Sequence, residues 1–264
     1  MREFTRVVFF LACKNSIEQP SMEAKTIVKP FHFKQFSIEQ DRCTMKVGTD
    51  GVLLGAWADT SGAEYVLDIG TGTGVIAIML AQRTDKATIH AVEIDEEACS
   101  QASDNMLGSP WAERLQAFHI SIQDFAKKGS QQYDLIVSNP PFFSGGTFSS
   151  SQDKTSVRHT VKLPHGDLLS AVRSLLAEEG RFCVVLPYLE GLRFMEMASR
   201  YNLYCTRVTE VIPRPGKQVE RLLLQFERKL KPLLNETLVI HKTEGNNDWT
   251  EDYKALTGAF YVKL

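Results

Sequence analysis

Asn139 stands where an apolar run stops. In "DLIVSNPPFFSGG", residues 134–146, Leu135, Ile136 and Val137 give way to Ser138, Asn139, Pro140, Pro141 and Phe142. An amide, two prolines without backbone donors and an aromatic ring suit work on an amine attached to an aromatic ring. Such a nitrogen is a poor nucleophile, because its lone pair is delocalised into the ring. Two acceptors aimed at its N–H groups would pull it toward tetrahedral geometry and free the lone pair. The Asn139 side chain offers one acceptor and the Pro140 carbonyl the other. The proline rings fix φ at about −65° and hold that carbonyl still, so the acceptors are preorganised. Phe142 offers a flat face for a base, a contact worth ~1–3 kcal/mol. In isolation, Asn-Pro-Pro also reads as a plain turn.

An electrophile is needed opposite this nitrogen, and the segment "VLDIGTGTGVIAI" suits one. It ends a strand, turns through Gly70, Gly72 and Gly74, and enters a helix. Glycines permit the tight turn and let a ligand approach the backbone. A dinucleotide fingerprint would require glycine where Val75 stands. Asp68 precedes the loop, and a carboxylate there suits a ligand bearing an amine or another positive charge. Glu93 ends the next strand, where an acid can accept both ribose hydroxyls of a nucleoside. Asp124, in "SIQDFA", could accept from an adenine amino group, and equally could cap a helix. A nucleoside with a cationic, amine-bearing tail describes S-adenosylmethionine, the expected cofactor.

These residues need a scaffold that brings strand ends together. From Tyr65 onward, short β-rich runs alternate with helical patterns. "YVLDIG", "TIHAVEID", "LQAFHISI", "YDLIVSN" and "RFCVVLP" read as strands. Helices are expected over 74–82, 96–105, 168–176 and 190–201. Alternation of this kind implies βαβ units and a parallel sheet covered on both faces. "LYCTRVTEVI" and "RLLLQFE" follow, joined by the turn "PRPGKQ", and should pair antiparallel. The expected class is α/β: a Rossmann-like class I methyltransferase fold with a seven-stranded, mostly parallel sheet and a C-terminal antiparallel hairpin. Residues 29–64 read as a small N-terminal β-extension of a catalytic domain spanning 65–264. Ligands of such sheets bind beyond the carboxyl ends of the strands, which places Asn139 beside the cofactor.

Composition excludes several classes. The 264 residues are 43% hydrophobic and 23% charged, ordinary for a globular protein with a sizeable core. Five separated cysteines without a C-x-x-C argue against a zinc site and a disulfide scaffold, so no metal and a reducing, cytoplasmic setting are expected. No apolar run approaches the ~20 residues that span a bilayer. Residues 1–28 read as a dispensable N-terminal extension, with a natural start near Met22. Its apolar run, residues 7–12, is shorter than the core of ~7–15 residues in a signal peptide. Net charge is −2. Basic residues nevertheless outnumber acidic ones over 151–231. Lys154, Arg158, Arg214 and Lys217 in that stretch are candidate phosphate contacts, which position RNA without reading its sequence. His159, beside Arg158, reads as a phosphate contact or a bystander. Residues 144–151 read as a segment that could order over an extruded base.

"DIGTGTG", "AVEID" and "SNPPF" resemble the signature set of class I methyltransferases that modify exocyclic or amide nitrogen. "FKQFSIEQDRCTMKVGTDGVLLGAWA" is similar to bacterial tRNA adenine-N6 methyltransferases, which act beside the anticodon of a valine tRNA. "RPGKQVERLLLQF" and "LTGAFYVKL" resemble that family too, so the likeness runs over about 29–264. It implies a tRNA substrate, cofactor contacts at Asp68, Glu93 and Asp124, and a clamp on the base at residues 139–142. Gln35, Phe36 and Thr49 fall in the matching N-terminal segment, where cofactor coverage is expected. A monomer is the expected assembly. The Asn-Pro-Pro-Phe motif is shared with methyltransferases of guanine N2 and of protein glutamine, and "KVGTDGVLLGAW" carries the narrower assignment. A catalytically silent module that binds cofactor or RNA is the reading from another class, and retention of Asn139 with the full glycine loop argues against it.

Overall fold

The computed structural model describes residues 28–141, 163–243 and 248–263. Its centre is an eight-stranded sheet. The strands are β3 (Tyr65–Ile69), β4 (Thr88–Glu93), β5 (Leu115–His119), β6 (Tyr133–Ser138), β7 (Leu176–Pro187), β8 (Tyr204–Ile212), β9 (Arg221–Glu227) and β10 (Leu234–Val239). Their spatial order is β10-β8-β9-β7-β6-β3-β4-β5. All run parallel except β9, which is antiparallel to both β7 and β8. Two shorter strands, β1 (Phe31–His32) and β2 (Ser37–Ile38), form a separate antiparallel hairpin.

Helices cover both faces. On one side lie α1 (Thr49–Trp57), α2 (Val75–Arg83), α3 (Glu96–Leu107) and α7 (Glu251–Thr257). Their apolar residues share a buried cluster with Val66, Ile89 and Val137. On the other lie α4 (Ile122–Lys128), α5 (His165–Leu175) and α6 (Tyr188–Ser199), packed on Leu67, Ile136 and Phe182. Successive β-strand side chains point to opposite faces, which is why neighbours such as Val66 and Leu67 serve different cores. Among the described residues, no helix is long and apolar enough to cross a membrane.

Two differences from the sequence reading have physical causes. The sheet has an eighth strand, β10. Its centre, Asn235-Glu236-Thr237, is polar because β10 is an edge strand paired only with β8, so it lacks a continuous apolar run. The N-terminal segment holds the hairpin β1–β2, and it also holds a helix, α1. That helix is buried from Gly51 to Trp57 and so carries no amphipathic period. Its glycines look like turn residues but serve close packing: a Cβ on Gly55 would lie 2.9 Å from Met79 Sδ of α2 and 3.2 Å from Met79 Cβ.

Because the Met79 Cβ cannot swing away, Gly55→Val should overpack the α1–α2 contact. A cost of about 1–3 kcal/mol is expected. Thermal denaturation should show a midpoint lowered by several degrees; an unchanged midpoint would refute the close packing.

Candidate functional site

The C-terminal ends of β3 and β6 open onto a cavity of about 430 Å³. That size suits a small organic ligand. One wall is the loop after β3, where Gly70, Gly72 and Gly74 have φ of 71°, 56° and 83°. L-residues with side chains avoid this left-handed region. A Cβ on Gly70 or Gly72 would meet nothing within 4 Å, so the space above them is left for a ligand. Gly74 differs: its Cβ would meet Met106 Cε at 3.3 Å and Ala102 at 3.4 Å, so it also lets α3 approach.

Two carboxylates flank the loop. Glu93 Oε2 accepts from Gly72 N at 2.9 Å, while Oε1 accepts from Ile94 N at 2.8 Å and Asp95 N at 3.1 Å. Glu93 therefore ties the loop to the end of β4. A carboxylate has about four acceptor sites, so capacity remains for a hydroxyl. Asp68 is fully buried. Its Oδ2 accepts from the Thr71 hydroxyl at 2.6 Å, and its Oδ1 has no protein partner. Burial pushes this carboxyl up to about 7, against the opposing pull of the Thr71 hydroxyl and of the Ala77 amide in the first turn of α2. An enclosed acceptor beside an open glycine loop fits a ligand that brings a cation or a donor.

Asn139 faces the loop across the cavity from the end of β6. Its Oδ1 is enclosed and has no protein partner among the described residues. The preceding Ser138 hydroxyl donates to the Ile69 carbonyl at 2.9 Å, joining the ends of β6 and β3. Pro140 is buried beside it. Thr49, at the start of α1, lines the same cavity. So do Asp50 and Arg221, paired at 2.9 Å.

Other expected residues lie elsewhere. Phe36 is buried in an aromatic cluster, stacked on Phe33 at 4.6 Å and edge-on to Trp111, and does not line the cavity. Gln35 is exposed in the turn between β1 and β2. Asp124 is exposed in the first turn of α4, where it and Ser121 form a reciprocal cap: Asp124 N donates to Ser121 Oγ at 3.1 Å, and Ser121 Oγ to Asp124 Oδ2 at 2.9 Å. Those bonds and Lys127 hold its carboxyl below the ordinary value. Arg214 and Lys217 sit in the turn between β8 and β9, beside the cavity-lining Pro213. Phe142, Lys154, Arg158 and His159, with residues 144–151, lie outside the described residues. Among the described residues, no group of side chains could hold a metal ion.

Sequence reasoning missed Asn105 and Asp50. Asn105 Nδ2 donates to the Thr73 carbonyl at 2.8 Å and to the Glu39 carbonyl at 2.9 Å, and its Oδ1 accepts from Glu39 N. It stitches the N-terminal segment to the glycine loop. Its only signal was a polar side chain on the buried face of α3.

The raised Asp68 value has a consequence for stability. An acid whose folded value exceeds its unfolded one binds more protons when folded, so stability falls as pH rises between the two values. Here that window runs from 3.8 to about 7. Asp68→Asn removes the effect, so the variant should gain stability relative to the parent between pH 4.5 and 7.5. A tenfold change in proton affinity is worth about 1.4 kcal/mol, so a relative gain above about 1 kcal/mol is expected from urea denaturation. A constant difference would show that Asp68 is already ionised.

The comparisons with known proteins agree with this geometry. Residues 47–188 match the model of the methyltransferase small domain family. A protein of Flavobacterium psychrophilum named tRNA1(Val) (adenine(37)-N6)-methyltransferase is 43% identical over 235 residues, covering 89% of this chain and 100% of that one. A protein of Trichodesmium erythraeum with the same name is 45% identical over 235 residues, covering 88% of this chain and 98% of its own. Among solved structures, Atu636 of Agrobacterium tumefaciens, described as a predicted O-methyltransferase, superposes with a TM-score of 0.63 at 17% identity. It covers 80% of this chain and 96% of that protein and supports the fold alone. Identity above 40% along nearly the full length of such relatives is decisive: this chain belongs to the family of tRNA1(Val) (adenine(37)-N6)-methyltransferases.

Proposed function

We propose that this protein transfers a methyl group from S-adenosylmethionine to the exocyclic N6 of an adenosine in tRNA, the one at position 37 of a valine tRNA. The observation that carries the reading is Asn139 Oδ1, an enclosed acceptor without a protein partner, set opposite an open glycine loop. The relatives' names supply the substrate.

Glu93 would accept the ribose hydroxyls and Asp124 the adenine amino group of the cofactor, while Asp68 and the Gly70–Gly72 loop would receive its amine-bearing tail. Thr49 would border that tail from α1. The bound cofactor supplies a methyl group on a sulfonium, already activated for transfer. Asn139 Oδ1 and the Pro140 carbonyl accept the two N6–H groups of the target adenine. They draw the nitrogen out of conjugation and aim its lone pair along the line of attack. This charge arrangement is fixed before the base arrives, which is where preorganised acceptors gain their effect. One N6 proton leaves to solvent after transfer. Phe142 would stack on the base, and Lys154, Arg158, Arg214 and Lys217 would hold phosphates. Asp124 reaches the cofactor only if its reciprocal cap with Ser121 leaves an oxygen lone pair available, which a carboxylate provides.

Asn139→Ala removes an interaction that strengthens in the transition state. Turnover with saturating tRNA should fall ~10²–10³-fold, with little change in tRNA affinity. Single-turnover assays decide, and transfer at the parent rate would reduce the motif to a structural turn.

Phosphate contacts release counterions, so tRNA affinity should fall steeply with salt. The double variant Arg214→Ala, Lys217→Ala should make that slope shallower by about 1–2 while leaving cofactor affinity unchanged. A salt-independent affinity would instead favour a protein substrate.

A further inference from the structure

We infer that the Asp50–Arg221 ion pair is a positioning element of the methyl-transfer site, a strut that holds the first turn of α1 against the Asn139 carboxamide. The inference rests on the proposed attack by an aromatic amine. That chemistry needs Asn139 in one rotamer, with Oδ1 turned to the amine.

The Asn139 side chain is backed by α1: its Nδ2 lies 3.9 Å from the position a Cβ would take on Gly51. The same position is 3.8 Å from Val75 and Ile76, so Gly51 is the point where α1, α2 and Asn139 meet. Whatever fixes this turn of α1 fixes the back of the acceptor. The turn has no side-chain cap, since the residue before it is Gly48. Asp50, next to Gly51, supplies an outside attachment.

Its Oδ2 accepts from Arg221 Nε at 2.9 Å, and Arg221 Nη1 donates to the Glu220 carbonyl at 3.1 Å. Arg221 opens β9, in register with Pro187 of β7 on one side and Val211 of β8 on the other. Its backbone therefore belongs to the sheet. The two side chains are only 29% and 22% exposed, a setting that screens their attraction less than open water does. The far end of α1 has its own anchor, because Trp57 Nε1 donates to Thr209 Oγ1 of β8 at 2.8 Å. With the strut cut, α1 keeps that distal anchor and its first turn gains freedom, so Gly51 shifts against Asn139. Misplacement on the ångström scale is costly in rate, because reacting atoms must sit in line.

The test uses the full chain in three forms: D50N, R221Q and the swapped pair D50R/R221D. Each single change should lower single-turnover methyl transfer to tRNA, measured at saturating cofactor, by about tenfold or more. The swapped pair should recover most of the rate. A second readout needs no RNA: the 15N–1H signal of the Asn139 side-chain amide should shift in both single variants and return toward the parent position in the swap. The inference is overturned if that signal does not move in the single variants, or moves and does not return. Recovery of the signal without recovery of the rate also overturns it, since Arg221 would then touch substrate directly. If the parent protein transfers no methyl to tRNA, the proposed function fails, and the amide signal still decides the role of the pair.

Discussion

Gly72 N–H to Glu93 is the bond on which the site turns. Leaving β3, the chain must reverse into α2 within a few residues, and it does so through left-handed backbone that only glycine adopts at low cost. The loop's own backbone ties it to the sheet, as Gly70 N and Thr71 N both donate to the Val92 carbonyl. Glu93 gives it a fixed neighbour, because one carboxylate gathers amides from the loop and from the end of β4. Parallel pairing of β3 with β4 and β6 then sets the distance from this loop to Asn139. The acceptor and the glycine loop are thus held at neighbouring strand ends by the most rigid part of the molecule, a sheet buried on both faces.

The polar groups divide by task. Those that hold the scaffold are paired: Asn105 with two carbonyls and an amide, Glu93 with three amides, Ser138 with Ile69. Asp68 Oδ1 and Asn139 Oδ1 are enclosed acceptors without a partner from the protein. Buried acceptors left unmade cost free energy, and that of Asn139 stands on the cavity wall, where a ligand donor would complete its bonding.

The sequence made the centre of the fold legible and left its margins obscure, for physical reasons. Strands β3, β4 and β6 are buried on both faces and appear as short apolar runs. The glycine loop shows because no other residue type serves at 70, 72 and 74. Asn139 shows because proline at 140 and 141 ends a strand so abruptly. By contrast, α1 hides: a helix enclosed on all sides has no apolar stripe, and its glycines at 51 and 55 imitate turns. β10 hides because an edge strand tolerates Asn235 and Glu236. Phe36, expected near the cofactor because its segment resembles the family, is packed against Phe33 and Trp111, a burial that one position in a short segment does not announce. Asp124 is ambiguous in sequence, since a helix cap, which it forms with Ser121, and a ligand contact favour the same residue type at the start of α4.

The attachments of α1 to the last third of the chain bear on how the protein is made. Asp50 reaches Arg221, Trp57 reaches Thr209 with Arg207 stacked 4.3 Å over its ring, and Lys34, in the turn between β1 and β2 ahead of the helix, reaches the Gly258 carbonyl. These contacts are separated by 150 residues or more in sequence. Synthesis proceeds at about 5–20 residues per second, so α1 emerges well before its partners exist. Until then its packing is local, on α2: Gly55 lies against Met79, and Arg83 donates to the Gly55 and Ala58 carbonyls. Closing so long a loop is paid in chain entropy before any contact rewards it. The attachments of α1 to β8 and β9 can therefore form only after its packing on α2, and a chain lacking those strands would lose the Asp50–Arg221 and Trp57–Thr209 contacts at the two ends of the helix.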